Sequence, residues 1–217
     1  MRSAVTVAAA VALVLAAGAW GDVLGTATIK YTGNYTDGTI KVWGGGLSGV
    51  TGYGGFYLLD KNAGTGEGEL IPNGTVNSFC MELTEEPSKN YTVYNVESIG
   101  GAKGAHLSEL WGRYFSPTMS KANAELFSAC VWEIWYEEPS VWDVSAGPGF
   151  RCTGITSATT ANGWLASLDG TGPMANVRTL THPSKQDFLV EVPVPEPGSI
   201  ALLASGLLGL AAIARKR

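Results

Sequence analysis

The 217-residue sequence predicts an α+β fold: a β-rich sandwich or partial barrel with a two- to three-helix insert, plus a C-terminal transmembrane helix. Three observations predict it. Up to about Ile99, short apolar runs alternate and are separated by glycine-rich turns. From His106 the apolar spacing changes to that of a helix face. After Pro197 the chain is apolar up to a basic end.

The chain opens with a leader. Arg2 precedes the apolar run 4–17, and small residues stand at Ala17 and Ala19. A charged start, an apolar middle and an A-x-A site together read as a secretory signal peptide, residues 1–19. Cleavage before Trp20 fits best, with cleavage before Asp22 the near alternative. Residues 20–192 are then one extracytoplasmic domain, long enough to bury a sizeable core.

Within that domain, "TATIKYT", "GGFYLLD", "TVNSFCMEL" and "NYTVYNVESI" read as strands, and "VWGGGLSGVTGYGGF" as short strands joined by tight turns. In "HLSELWGRYF", Leu107, Leu110, Trp111, Tyr114 and Phe115 fall on one helical face. Phe127, Cys130, Val131, Ile134 and Trp135 repeat that spacing in a second helix, which Pro139 ends. A short third helix is expected at "TANGWLASL", and "DFLVEV" returns to strand with Phe188, Val190 and Val192 on one face.

The tail has three parts. Pro195 and Pro197 fix φ and lack an N–H, so Val194, Pro195, Glu196 and Pro197 form an extended link. A helix over 199–214 would be ~24 Å long, just short of the ~30 Å hydrocarbon core. Arg215, Lys216 and Arg217 supply a snorkelling flank that favours the cytoplasmic side. A lipid-anchor signal of the GPI type would want an uncharged apolar end, which this basic ending denies it.

Formal charge is −5, and Arg2, Arg215, Lys216 and Arg217 lie in the terminal segments, so the domain between them is more acidic still. Such a domain lacks a basic patch for nucleic acid. Three cysteines, Cys80, Cys130 and Cys152, allow one intrachain disulfide at most, and Cys130–Cys152 across the loop that follows the second helix is the candidate. With no CxxC and only two histidines, His106 and His182, neither a metal site nor any other cofactor is expected. Cys80 has no nearby cation in sequence and reads as a buried thiol.

The tail, residues 193–217, resembles the PEP-CTERM sorting signal of Gram-negative surface proteins: VPEP, a short apolar helix and an RKR end, in that order. The resemblance implies processing by a membrane-embedded exosortase and a place at the cell surface or in the extracellular matrix, where exopolysaccharide, biofilm material or other surface proteins would be partners.

The domain offers a second resemblance. "FCMEL" (79–83) and "ELFSACVWEIWYE" (125–137) resemble the thioester-domain pattern of bacterial surface adhesins. There a cysteine after a strand aromatic is joined to a glutamine placed on a helix, four residues before a tryptophan, and the bond captures amines. The resemblance puts Cys80 at the cysteine and Trp132 at the tryptophan, while the glutamine position falls on Ser128. A hydroxyl has no acyl carbon to offer, so these positions are expected to be inactive; Gln186, the only glutamine, lies far outside the motif.

Other chemistry has little support. Glu85–Glu86 and Glu137–Glu138 could suggest opposed glycosidase carboxylates, but adjacent acids in polar turns are expected to be solvated. No GxSxG elbow accompanies the histidines. The NxT sequons at Asn34, Asn73 and Asn90 carry little weight behind a bacterial sorting tail. Most of the tryptophans fall on core faces, leaving Trp43 as the best candidate for an exposed sugar platform. The expected function is therefore a non-enzymatic surface or matrix protein. An adhesin module for carbohydrate or a partner is the alternative, and a carbohydrate-active enzyme comes third.

Overall fold

A computed structural model describes residues 20–36, 38–44, 46–137, 142–146 and 149–194. The leader (1–19), Pro195, Glu196, Pro197, the expected membrane helix and Arg215, Lys216 and Arg217 lie outside the described residues. Among the described residues no helix is long and apolar enough to cross a membrane.

Six strands close into an antiparallel barrel: β1 (Trp20–Tyr35), β4 (Phe56–Gly66), β5 (Gly74–Cys80), β9 (Lys185–Glu191), β8 (Val177–His182) and β6 (Thr92–Ile99), in that spatial order. Closure depends on the length of β1, which pairs with β6 over Trp20–Ile29 and with β4 over Gly25–Tyr35. Its register slips near Thr28 and Tyr31 let the strand bend around the barrel. Of the two expected forms, the barrel is the one adopted, and it is complete rather than partial. β4 can turn away at Gly66, where φ is +55° and a Cβ would lie 2.3 Å from the Leu24 carbonyl oxygen. A small second sheet, in the order β3 (Leu47–Tyr53), β2 (Thr39–Gly44), β7 (Arg151–Thr153), sits apart from the barrel strands.

The insert between β6 and β8 holds α1 (Gly101–Tyr114), α2 (Lys121–Tyr136), β7 and α3 (Ala158–Ala166). Two barrel strands therefore follow the helices, where the sequence suggested one. Ser120 and Ser157 cap α2 and α3, each hydroxyl accepting the N–H three residues on. α2 differs most from expectation. Its residues from Ala124 to Ile134 are all buried, including Glu125 and Glu133, so it is a central helix and not an amphipathic one. The two carboxylates can be buried because each accepts a loop N–H, from Thr156 at 2.8 Å and Asp143 at 2.9 Å.

Register assigns the faces of the barrel wall. Phe79 pairs with Leu189, and Phe79 meets Trp111 of α1 and Phe127 of α2 at centroid distances of 5.6 and 4.4 Å. That face points outward to the helices. Cys80 pairs with Phe188 and Ser78 with Tyr57, so Cys80, Tyr57 and Phe188 share the inward face, and Gln186, two residues before Phe188, joins them.

Candidate functional site

Cys80 ends β5 and Gln186 is the second residue of β9, and the pairing of these strands brings the two together. The Gln186 Nε2 lies 2.8 Å from the Cys80 Sγ and 3.1 Å from the Glu82 carbonyl oxygen, while the Cys80 thiol donates to that same carbonyl at 2.9 Å. The carboxamide carbon is one ~1.33 Å bond from the nitrogen, hence within ~4 Å of the sulfur. Both residues are buried, at 1% exposure for Cys80 and 4% for Gln186. The Gln186 Oε1 has no hydrogen-bond partner.

Neighbouring groups hold this pair in place. Trp132 Nε1 donates to the Cys80 carbonyl at 2.8 Å, which fixes the backbone beneath the sulfur. Tyr136 accepts the Leu83 N–H at 3.1 Å, and Met81 N–H donates to the Asp187 carbonyl at 2.9 Å. Gly52 packs closely here: a Cβ would lie 2.7 Å from a terminal methyl of Leu83 and 3.3 Å from the Trp132 ring, so a larger residue would need both side chains to shift. Burial pushes the Cys80 thiol well above its usual range, so it stays protonated and is a poor target for reagents in solution. Burial likewise raises Tyr57 and brings Asp187 up to about 7.

Gln186 opens into a cleft of ≈ 300 Å³ whose walls include Tyr31, Asn34, Tyr53, Glu85 and Glu86. Cys80 is closed off beneath it. Gln186 lines the cleft and Cys80 does not.

The sequence-predicted positions fall out as follows. Cys80 and Trp132 do meet. Ser128 does not face the sulfur: its hydroxyl accepts the Gly55 N–H at 2.8 Å and turns back to the Ala124 carbonyl at 3.1 Å. The glutamine beside Cys80 is Gln186, so the reading that set it aside is corrected. The signal for it would have been the pairing of the final strand with β5, which no local motif encodes. The Cys130–Cys152 disulfide is also corrected. All three cysteines are free and buried, and the Cys130 thiol is directed at the Ala161 carbonyl, 3.5 Å away. Trp43 is half-buried, with the Arg151 guanidinium 5.4 Å from its ring centre. Of the acidic pairs, Glu86 is exposed while Glu85 Oε2 is buried, Glu137 accepts the Phe150 N–H at 3.0 Å, and Glu138 lies outside the described residues. Val194, the described end of the sorting link, is exposed. No group of three or more His, Cys, Asp or Glu among the described residues is placed to hold a metal ion.

Comparison with known proteins decides the chain's C-terminal end. Residues 193–217 match the PEP-CTERM protein-sorting motif. This motif implies export and membrane-associated sorting through an exosortase. No curated protein and no solved structure matches it.

Proposed function

We propose that this PEP-CTERM chain is a surface attachment protein whose domain resembles a thioester domain, with Cys80 and Gln186 forming the internal bond. The single observation that carries this reading is the 2.8 Å contact between the Gln186 carboxamide nitrogen and the Cys80 sulfur in a buried site. Sulfur attacks the carboxamide carbon, an S–C bond replaces the C–N bond, and the thiol proton leaves with the nitrogen as ammonia. Proximity stands in for thiol activation here, because two reactants held in contact behave as if at very high concentration. The sequestered thioester excludes water and waits for an amine. Attack by that amine forms an amide at Gln186 and returns the Cys80 thiol. The bond is used once, so the protein is an attachment device and not an enzyme. Its partners are amine-bearing polymers or proteins of the cell surface or matrix, and the tyrosines of the cleft supply non-covalent contacts beside the bond.

Intact mass of the purified protein tests this. The native chain should be lighter by one ammonia than its sequence, and methylamine should restore mass as an adduct mapped to Gln186. Cys80→Ala and Gln186→Ala should show neither effect. A native chain at full mass that takes up no methylamine would overturn the reading.

A further inference from the structure

The cleft over Gln186 has an unusual polar inventory. Asn34 Oδ1, Glu85 Oε2 and Gln186 Oε1 all line it or belong to residues that do, and all three oxygens are buried without a partner. Buried acceptors are ordinarily satisfied, so these three oxygens are free to accept from a donor that enters the cleft. Gln186 is the independent witness, a side chain 4% exposed whose free oxygen belongs to the residue at the cleft floor. The loop carrying Glu85 is fastened to that floor, since the Gln186 N–H donates to the Glu86 carbonyl at 3.2 Å. Of the residues lining the cleft, Lys89 is the only cation, and it is exposed. A primary ammonium, with three donors and a positive charge, matches this set.

We propose that Glu85 is the carboxylate that receives the incoming ammonium and takes its proton, so that the freed amine can attack the Gln186 acyl carbon. The inference rests on the thioester reading above. One ammonium proton goes to Glu85. Nitrogen then bonds to the acyl carbon and the C–S bond breaks. The second proton passes to the departing Cys80 sulfur, which burial keeps as a thiol. An amide, a thiol and a protonated Glu85 remain, and Glu85 then returns its proton to water. Glu86, its exposed neighbour, contributes only to the general attraction.

The test compares the full-length protein with its Glu85→Gln and Glu86→Gln variants, using cadaverine and hydroxylamine as probes and mass spectrometry as the readout. Glu85→Gln should still lose ammonia, which shows a folded domain with an intact bond. It should couple cadaverine ~10²-fold more slowly, the usual reach of one general base. Hydroxylamine, unprotonated at neutral pH, should react with both forms at more similar rates. Glu86→Gln should stay close to wild type. If Glu85→Gln carries the thioester yet couples cadaverine at the wild-type rate, Glu85 has no such role while the thioester reading stands. Equal slowing by both variants would mean diffuse charge attraction and would also overturn the assignment. A wild-type chain that never loses ammonia would overturn both readings.

Discussion

Glu133 should make the stability of this domain fall as pH rises, and Glu133→Gln should remove that fall. The side chain is fully buried in α2, with one oxygen accepting the Asp143 N–H at 2.9 Å and the other without a partner. Burial, reinforced by the nearby Glu137 carboxyl, pushes its pKa up to about 8. The folded chain therefore keeps a proton that the unfolded chain sheds near the ordinary value. Below that value the two states bind it equally and nothing is lost. Between 4.5 and about 8 stability declines, and at ~1.4 kcal/mol per unit the full loss is roughly 2–5 kcal/mol. A glutamine keeps the acceptor for Asp143 and carries no charge at any pH. Urea unfolding of wild type and variant should give curves within ~1 kcal/mol of each other at pH 4.5, and a variant more stable by ~2–4 kcal/mol at pH 8. Asp187 also titrates high, but it is present in both chains and cancels from the difference. A variant effect that is the same at both pH values, or a variant less stable at the higher one, would refute the argument.

Two further outcomes follow from other parts of the chain. Glu109 is buried in α1 and accepts Arg113 Nη2 at 2.8 Å together with the N–H groups of Gly170 and Gly172, both at 2.8 Å. Glu109→Ala strands all of these and should cost ~3–5 kcal/mol in urea unfolding; a loss below ~1 kcal/mol would mean the pocket refills with water at no penalty. Deleting residues 198–217 removes most of the matched sorting motif and should release the exported protein from the envelope fraction into the medium, which fractionation and immunoblotting would check. Continued retention would show that some other feature anchors it.

The sequence carried the helices and most strands because their signals are local. The spacing of Leu107, Leu110 and Trp111, and of Phe127, Val131 and Ile134, is visible without any partner, and each of these residues is buried. What stayed hidden was long-range. β8 reads "VRTLTH", with too many polar residues to announce a strand, and it is held by pairing to β6 and β9 on either side. Barrel closure follows from one strand serving two partners, which no periodicity expresses. Glu125 and Glu133 look like solvent-facing positions until the N–H groups of Thr156 and Asp143 arrive from a loop. The same limit hid the site. Cys80 and Gln186 are 106 residues apart, and only the β5–β9 ladder makes them neighbours.

The location of Gln186 on the last strand has a mechanical consequence. On the reading proposed above, a target amide-linked at Gln186 and a membrane hold through the sorting motif at 193–217 would be joined by the short stretch of backbone between them, most of which is β9. Tension between target and cell would run along that stretch alone. The rest of the barrel, the small sheet and the three helices would lie beside the line of force and not within it. Pulling could peel β9 from its neighbours and even unravel the domain, yet the tether would neither lengthen much nor break, because every remaining link along it is covalent.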